Sequence, residues 1–546
     1  MFVLIIVNMR RSPNLFMTEG LKSPRNSFDL SRDDHFSHIA GDLMPVYCVN
    51  VEPNDYFEIN VSNFTRTFTL NTAAFARLHE CCDFFFVPYR LIWAWWNDFI
   101  SHVSVSGTGY NPNIVGDTVN PPIGCPYILG STIYSYLNAT TSDIFGYQRR
   151  VKLYRTLDML GYPVANTLGN TITMYSPSGP LTAVRFNPFR LYAYMRIYQE
   201  YYRNSQYEVN KPVSYNLDAV ADSGEVTVGR FGAWMDNLKL TYVNYEKDMF
   251  TSVLPTAYWN AEQQFSPSIP MGIMNQINMS GNGVSVYGTP TTGQATELSA
   301  QAIRTVLAVE KMAMVSALAP KTFRGQMQAL FGVTPDSCAS CDVQRIGSLK
   351  GNIQIGEVTS TAAGMNDTGR KSDLGQIAGK GVGSGNGHIK FHSKEAGILM
   401  GIHYIKPDLC YNSDRVDPFN RKFFRSDFHQ RALDALGMQP ILASARQGIS
   451  KTGYKAADLN TALGYGSRYA EYKSDASRVH GSMQSGGSLH QWVAPYSTPI
   501  LNLMTPSGYK VTPAILDGIF ANVYSGTDTE SDQFICHYRF DVSSVS

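Results

Sequence analysis

Charge is what this 546-residue chain has least of: 16% of its residues are Asp, Glu, Lys or Arg, against the quarter or so usual in soluble proteins. The 45 basic and 44 acidic side chains nearly cancel, so no global field draws the protein onto nucleic acid or a membrane surface. Long apolar runs are missing too. "FVLIIV" (Phe2 to Val7) falls far short of the roughly 20 apolar residues of a membrane helix and lacks the flanks of a signal peptide, so it reads as a tail, with Met9 as an alternative start. The eight cysteines are dispersed and form no disulfide framework. Cys338-Ala-Ser-Cys341 has zinc-knuckle spacing but no second pair follows, which favours reduced, buried thiols and no metal.

Catalytic signatures are absent as well. "GQIAGKG" (Gly375 to Gly381) is one residue short of a P-loop and has glycine where a hydroxyl should hold magnesium. "HECCD" (His79 to Asp83) starts like a zinc-protease helix but has Asp83 in place of the second histidine. There is no G-x-S-x-G elbow. His480 and His490 flank "GSMQSGGSL", which reads as a glycine-rich turn before it reads as a Ser/His site. The expectation is therefore no enzyme and no cofactor.

What the chain has is aromatic side chains, 12% of the total. "DFFFVPYRLIWAWWNDFI" (Asp83 to Ile100) holds Trp93, Trp95 and Trp96, half of the six tryptophans, and its charges and Pro88 exclude a membrane span. Low charge with abundant rings suits either extensive protein–protein contact or a large core.

Most of the chain reads as strand and loop. "QFICHYRFDV" near the C-terminus alternates with the period of two of a half-buried strand, as do Val46 to Val51 and Tyr56 to Val61, joined by the turn residues "EPND". Gly397 to Ile405 is apolar on both faces. Helices are expected over Pro188 to Asn204 and Leu298 to Ala319, and long loops over 266–295 and 351–387, the latter ending in "GKGVGSGNG". This order predicts a mainly β protein, a β-sandwich or jelly roll with large loop insertions and a few helices. Two basic segments stand out. The N-terminal arm carries Arg10, Arg11, Lys22 and Arg25, and Asp414 to Arg431 interleaves Arg415, Arg421, Lys422, Arg425 and Arg431 with Phe419, Phe423, Phe424 and Phe428. Rings beside cations suit single-stranded nucleic acid, while the simpler alternative is a core-facing aromatic stripe with a solvated opposite face.

Several of these segments resemble one family in its own order. "SFDLSRDDHFSHIAGDLMPVYCVNVEPNDYFEINVSNFTR", "FFFVPYRLIWAWWNDF", "DMFTSVLP", "FGVTPD", "HGSMQSGGSLHQWVAP" and "DQFICHYRFDV" are similar to the major capsid proteins of Microviridae, the small circular single-stranded DNA phages, of the gokushovirus type. The resemblance spans about Ser27 to Val542. It implies a viral jelly-roll β-sandwich, with residues 1–27 as a basic arm and 28–546 as one capsid domain carrying a candidate surface insertion at 258–294 and a Gly-rich loop at 351–387. It further implies pentamers that close into a T=1 icosahedral shell around the genome, with an internal scaffolding protein, a pilot protein, and a host surface receptor that is a glycan candidate. The site would be the virion, assembled in the bacterial cytoplasm, with no membrane insertion. On that reading Arg10, Arg11, Arg25, Arg421, Lys422 and Arg425 would touch DNA, and Phe86, Trp93, Trp95, Trp96 and Trp492 would serve subunit packing. Ala94, where the family commonly has a polar residue, and Thr256-Ala257, where it often has Trp-Pro, depart from the pattern, and 258–294 is short for a protrusion. The rival reading is a jelly-roll glycan-binding or spike protein that forms no shell.

Overall fold

A computed structural model describes residues 26–101, 124–137, 142–146, 149–162, 183–217, 224–255, 300–334, 342–359, 377–412, 415–434, 437–446, 460–496, 508–516, 518–520 and 532–545, with short strand pieces between 165 and 174, 277 and 286, and 364 and 372. Nine strands make the main sheet: β1 (Ser27–Asp29), β2 (Arg32–His38), β3 (Met44–Val51), β4 (Tyr56–Thr67), β5 (Leu78–Pro88), β6 (Gln344–Thr359), β7 (Ile377–His392), β8 (Gly397–Pro407) and β9 (Phe534–Val545). All pairings are antiparallel, in the order β1/β2–β9–β4–β7–β6–β5–β8–β3, with β1 and β2 both on the free side of β9.

This sheet cannot be flat. β3 and β4 lie five places apart in it, about 24 Å at the usual strand spacing. Yet the five peptide steps from Val51 to Tyr56 reach at most about 18 Å. The sheet therefore curls until its ends face each other, and side chains prove the closure. Tyr47 of β3 packs on Phe540 of β9 with ring centroids 5.0 Å apart, and Arg32 of β2 donates to the Val46 carbonyl at 3.2 Å. Thr65 of β4 donates to Glu80 of β5 at 2.5 Å across the interior. The expected β-sandwich is thus one rolled sheet whose two walls share a core.

Burial explains the sequence patterns. β4 and β9 alternate because their outer face meets solvent: Phe57, Ile59 and Val61, and Phe534, Tyr538 and Phe540, point inward. β5 and β8 are buried along nearly their whole length, including Glu80, Asp83 and His403, because insertions roof their outer face. Those insertions, 89–343 and 408–533, contribute α1 (Trp96–Ser101), α2 (Gly130–Leu137), α3 (Arg149–Met159), α4 (Phe189–Ile197), α5 (Val228–Leu238), α6 (Ala300–Leu318) and α7 (Phe323–Phe331). The helix expected from Pro188 begins with that proline as its cap and passes at Tyr198 into a single π-type turn that ends at Tyr202. It is buried on every side, between the sheet and α5, where Tyr192 stacks on Trp234.

One expectation is corrected. The Gly-rich stretch 351–387 is no loop at its ends: it lies within β6 and β7, and "GKGVGSGNG" is strand. Glycines recur at every second position of β7, so its inner face is bare backbone pressed against neighbours. A Cβ on Gly379 would lie 2.1 Å from the Thr72 carbonyl oxygen, and one on Gly381 would lie 2.5 Å from the Thr67 Cγ2. Close approach, not a turn, is why those positions lack side chains.

Candidate functional site

The aromatic stretch resolves into two jobs set by strand alternation. Phe84 and Phe86 of β5 face the sandwich interior, Phe86 against Phe391 at 4.8 Å. Asp83 and Phe85 face the helical roof, Phe85 against Tyr201 at 4.8 Å. Past Pro88 the chain leaves the sheet through a 3₁₀ turn, Tyr89–Leu91, into α1. There the Trp93 ring packs on Phe99 and Phe189, and Trp96 on Tyr89 at 4.5 Å. Phe86 and Trp93 are therefore core residues of this chain and not subunit contacts, because strand β7 and helix α4 of the same chain already cover them. Trp95, Trp96 and Trp492 remain half-buried, and Trp492 packs on the largely exposed Phe75 at 5.5 Å.

The basic aromatic segment turns the simpler expectation inside out: its rings face solvent and the Lys422 cation is held inside. Asp417 caps a short 3₁₀ turn by accepting from the Phe419 N–H. Asp427 accepts from the Phe423 and Phe424 N–H groups at 3.0 and 2.9 Å, bonds that hold its carboxyl below the usual range. With the backbone fixed that way, Phe423 and Phe424 are 77% and 72% exposed, and Phe419 and Phe428 about half. Lys422 turns inward instead. Its Nζ donates to Glu471 at 2.5 Å and to the Asp427 carbonyl at 2.7 Å, and sits over the Tyr472 ring. Arg421 donates to Ser444 and Asn460. Arg425 is exposed beside the rings. Arg10, Arg11 and Arg25 lie outside the described residues, as do Cys338 and Cys341 and all of 258–294 except a hairpin of Ile277–Ser280 with Gly283–Val286.

A second apolar face, missed in the sequence, lies on α7. Thr322 caps its start and Gly332, at φ 69°, ends it in the left-handed conformation. None of its nine residues is buried, and Phe323 and Phe331 are 62% and 68% exposed. Nearby in sequence, Leu318 and Val333 are also exposed. So short a helix is marginal in water without apolar cover. Its signal in sequence was "FRGQMQALF", where Phe323, Met327, Leu330 and Phe331 recur at i, i+4, i+7 and i+8 as one apolar stripe.

Elsewhere, His490 binds the Gly487 carbonyl at 2.7 Å within the turn expected there. No described helix is long and apolar enough to cross a membrane.

Comparison with known proteins gives two kinds of match. The family model described as "Capsid protein (F protein)" matches residues 17–160. The capsid protein VP1 of Chlamydia phage 1 is 21% identical over 525 residues, covering 86% of each chain. The capsid protein VP1 of Bdellovibrio phage phiMH2K is 25% identical over 540 residues, covering 88% of each.

Proposed function

We propose that this chain, similar along nearly its whole length to the capsid proteins of gokushovirus-type Microviridae, is a major capsid subunit that assembles into pentamers and then a T=1 shell around circular single-stranded DNA. One observation carries the assembly reading: apolar surface is presented on two short, well-capped segments, α7 and 419–428, where Phe323, Phe331, Phe423 and Phe424 are 62%, 68%, 77% and 72% exposed among the described residues. A standard interface buries on the order of 1,600 Å² in total, with aromatic anchors near its centre. Phe323, Phe331, Phe423 and Phe424 have the chemistry of such anchors. An internal scaffolding protein, a pilot protein and a host receptor would be the further partners, and the virion the place of action.

Assembly is tested by sedimentation of the purified chain with and without co-expressed scaffold. Wild type should convert to uniform fast particles. The double variant Phe423→Ser, Phe424→Ser should keep its circular dichroism spectrum and thermal midpoint while losing most of the fast fraction. A wild-type chain that stays monomeric under every condition would sink the reading.

Genome contact falls to Arg10, Arg11, Arg25 and Arg425. Arg421 and Lys422 hold the loop that presents Arg425 and the rings. Replacing the first four by Gln should leave shells intact but lower the DNA they retain about two-fold or more, most clearly at raised salt, because phosphate contacts are the salt-sensitive ones. Retention equal to wild type at every salt concentration would refute it.

A further inference from the structure

At the seam where the rolled sheet closes, three strands bring metal-ligand side chains together. His38 ends β2, His403 lies in β8 and Cys536 in β9, and all three are fully buried. Their donor atoms fall within 4.8 Å of one another. The two Nε2 atoms are 2.9 Å apart, and Cys536 Sγ is 3.8 Å from His403 Nε2. We propose that His38 Nε2, His403 Nε2 and Cys536 Sγ bind one divalent transition-metal ion, zinc best fitting the donor set, as a staple across the seam.

Ligand spacing agrees. Around a tetrahedral zinc, with Zn–N of about 2.0–2.1 Å and Zn–S of about 2.3 Å, two imidazole nitrogens stand roughly 3.3 Å apart and a nitrogen and sulfur roughly 3.6 Å. The two pairs that share His403 lie within about 0.4 Å of those spacings, and the third, His38 with Cys536, lies within 4.8 Å and closes by a side-chain shift of about 1 Å. The outward nitrogens are anchored as ligating histidines require. His38 Nδ1 donates to the Ile39 carbonyl at 2.8 Å. A carbonyl only accepts, so the neutral ring keeps its lone pair on Nε2. His403 Nδ1 lies 2.8 Å from the Tyr538 hydroxyl, which also hydrogen-bonds Glu80. When Tyr538 donates to Glu80, His403 Nδ1 must donate to Tyr538, and two lone pairs then face each other at 2.9 Å. A cation between them turns that repulsion into coordination.

The surroundings agree as well. Binding converts the Cys536 thiol to a thiolate and releases one proton per metal ion. Thr65 Oγ1 is 3.5 Å from Cys536 Sγ and donates to Glu80, so oxygen donors adjoin the sulfur. Phe36 and Phe534 wall the site, with rings 5.5 Å from those of His403 and His38 respectively. The site is a property of the folded chain and stands whether or not that chain forms shells.

The competing arrangement is metal-free: Tyr538 donates to His403 Nδ1, and His403 Nε2 donates to His38. Refolding the full chain under reducing conditions with zinc(II), then with cobalt(II), separates the two. The metal site gives about one tightly held ion per chain by elemental analysis after gel filtration, and a near-ultraviolet thiolate-to-cobalt band with tetrahedral d–d absorption. Cys536→Ser should abolish that band and His403→Gln should cut metal content about ten-fold or more. No retained metal and no charge-transfer band in the wild-type chain would overturn the proposal. Equal metal content in wild type and both variants would overturn it too, and the wild-type cobalt spectrum decides the matter should either variant fail to fold.

Discussion

Asp83→Ala should destabilise the chain by about 3–5 kcal/mol, the range for leaving a buried ionic network with one partner missing. Asp83 projects from β5 under the helical roof, its side chain nearly dry. It accepts from Arg345 of β6 at 2.6 Å and from the Tyr202 and Tyr404 hydroxyls at 3.1 Å each. Burial first, then the Asp83 charge, holds both phenols above their ordinary range, so they stay protonated donors. Alanine would strand two buried hydroxyls, each costing about 1–3 kcal/mol, whereas half-exposed Arg345 regains water. Asn keeps one acceptor oxygen and should lose less than Ala. Urea midpoints of the three proteins give the comparison, and an alanine variant within about 1 kcal/mol of wild type would show that water reaches these groups.

The loss would also be local in a telling way. Tyr202 closes the π-type turn after α4, so Asp83 latches the first insertion to the sheet. That insertion carries α7, one of the two faces assigned to assembly. A moderate variant such as Asp83→Asn should therefore lower assembly more steeply than it lowers monomer stability.

How much was legible beforehand follows from which constraints are local. β9 could be read because only one of its faces is buried, so its alternation is intact. The ordered capsid-like segments carried the family resemblance. β7 misled because glycine ordinarily marks turns, though its every-second-residue spacing was a strand signal in plain view. Strand order was not legible, since β2 pairs with β9 about the whole chain away and no local pattern encodes that closure. The Arg/Phe segment showed which residue types alternate but not which point outward. That was decided by Glu471, some 49 residues on, drawing Lys422 in. His38, His403 and Cys536 carry no motif at all, because the spacing that makes them neighbours exists only across the rolled sheet.

Lys510 and Glu208 should behave as a coupled pair, each single substitution costing about 3–5 kcal/mol and the double far less than their sum. Lys510 is fully buried in the second insertion, and its Nζ lies 3.0 Å from Glu208 Oε1, 3.1 Å from the Tyr242 carbonyl and 3.3 Å from Asn244 Oδ1, all in the first. Glu208 also accepts from Tyr198 at 2.5 Å. Lys510→Met leaves a carboxylate without its cation, and Glu208→Gln leaves an ammonium without its anion. Together they replace the ion pair by groups of similar volume, a change often close to neutral. The pH dependence has a defined sign. Burial holds the Lys510 pKa below its ordinary value, opposed by the Glu208 charge, so the unfolded chain binds this proton more tightly than the folded one. Stability contributed by Lys510 is then least at neutral pH and rises as pH climbs toward its unfolded pKa of about 10.4. Measured by urea midpoint, the advantage of wild type over the double variant should grow from pH 7 to pH 9.5. An advantage that shrinks over that range, or single and double variants whose losses simply add, would mean that the two insertions are not joined through this pair.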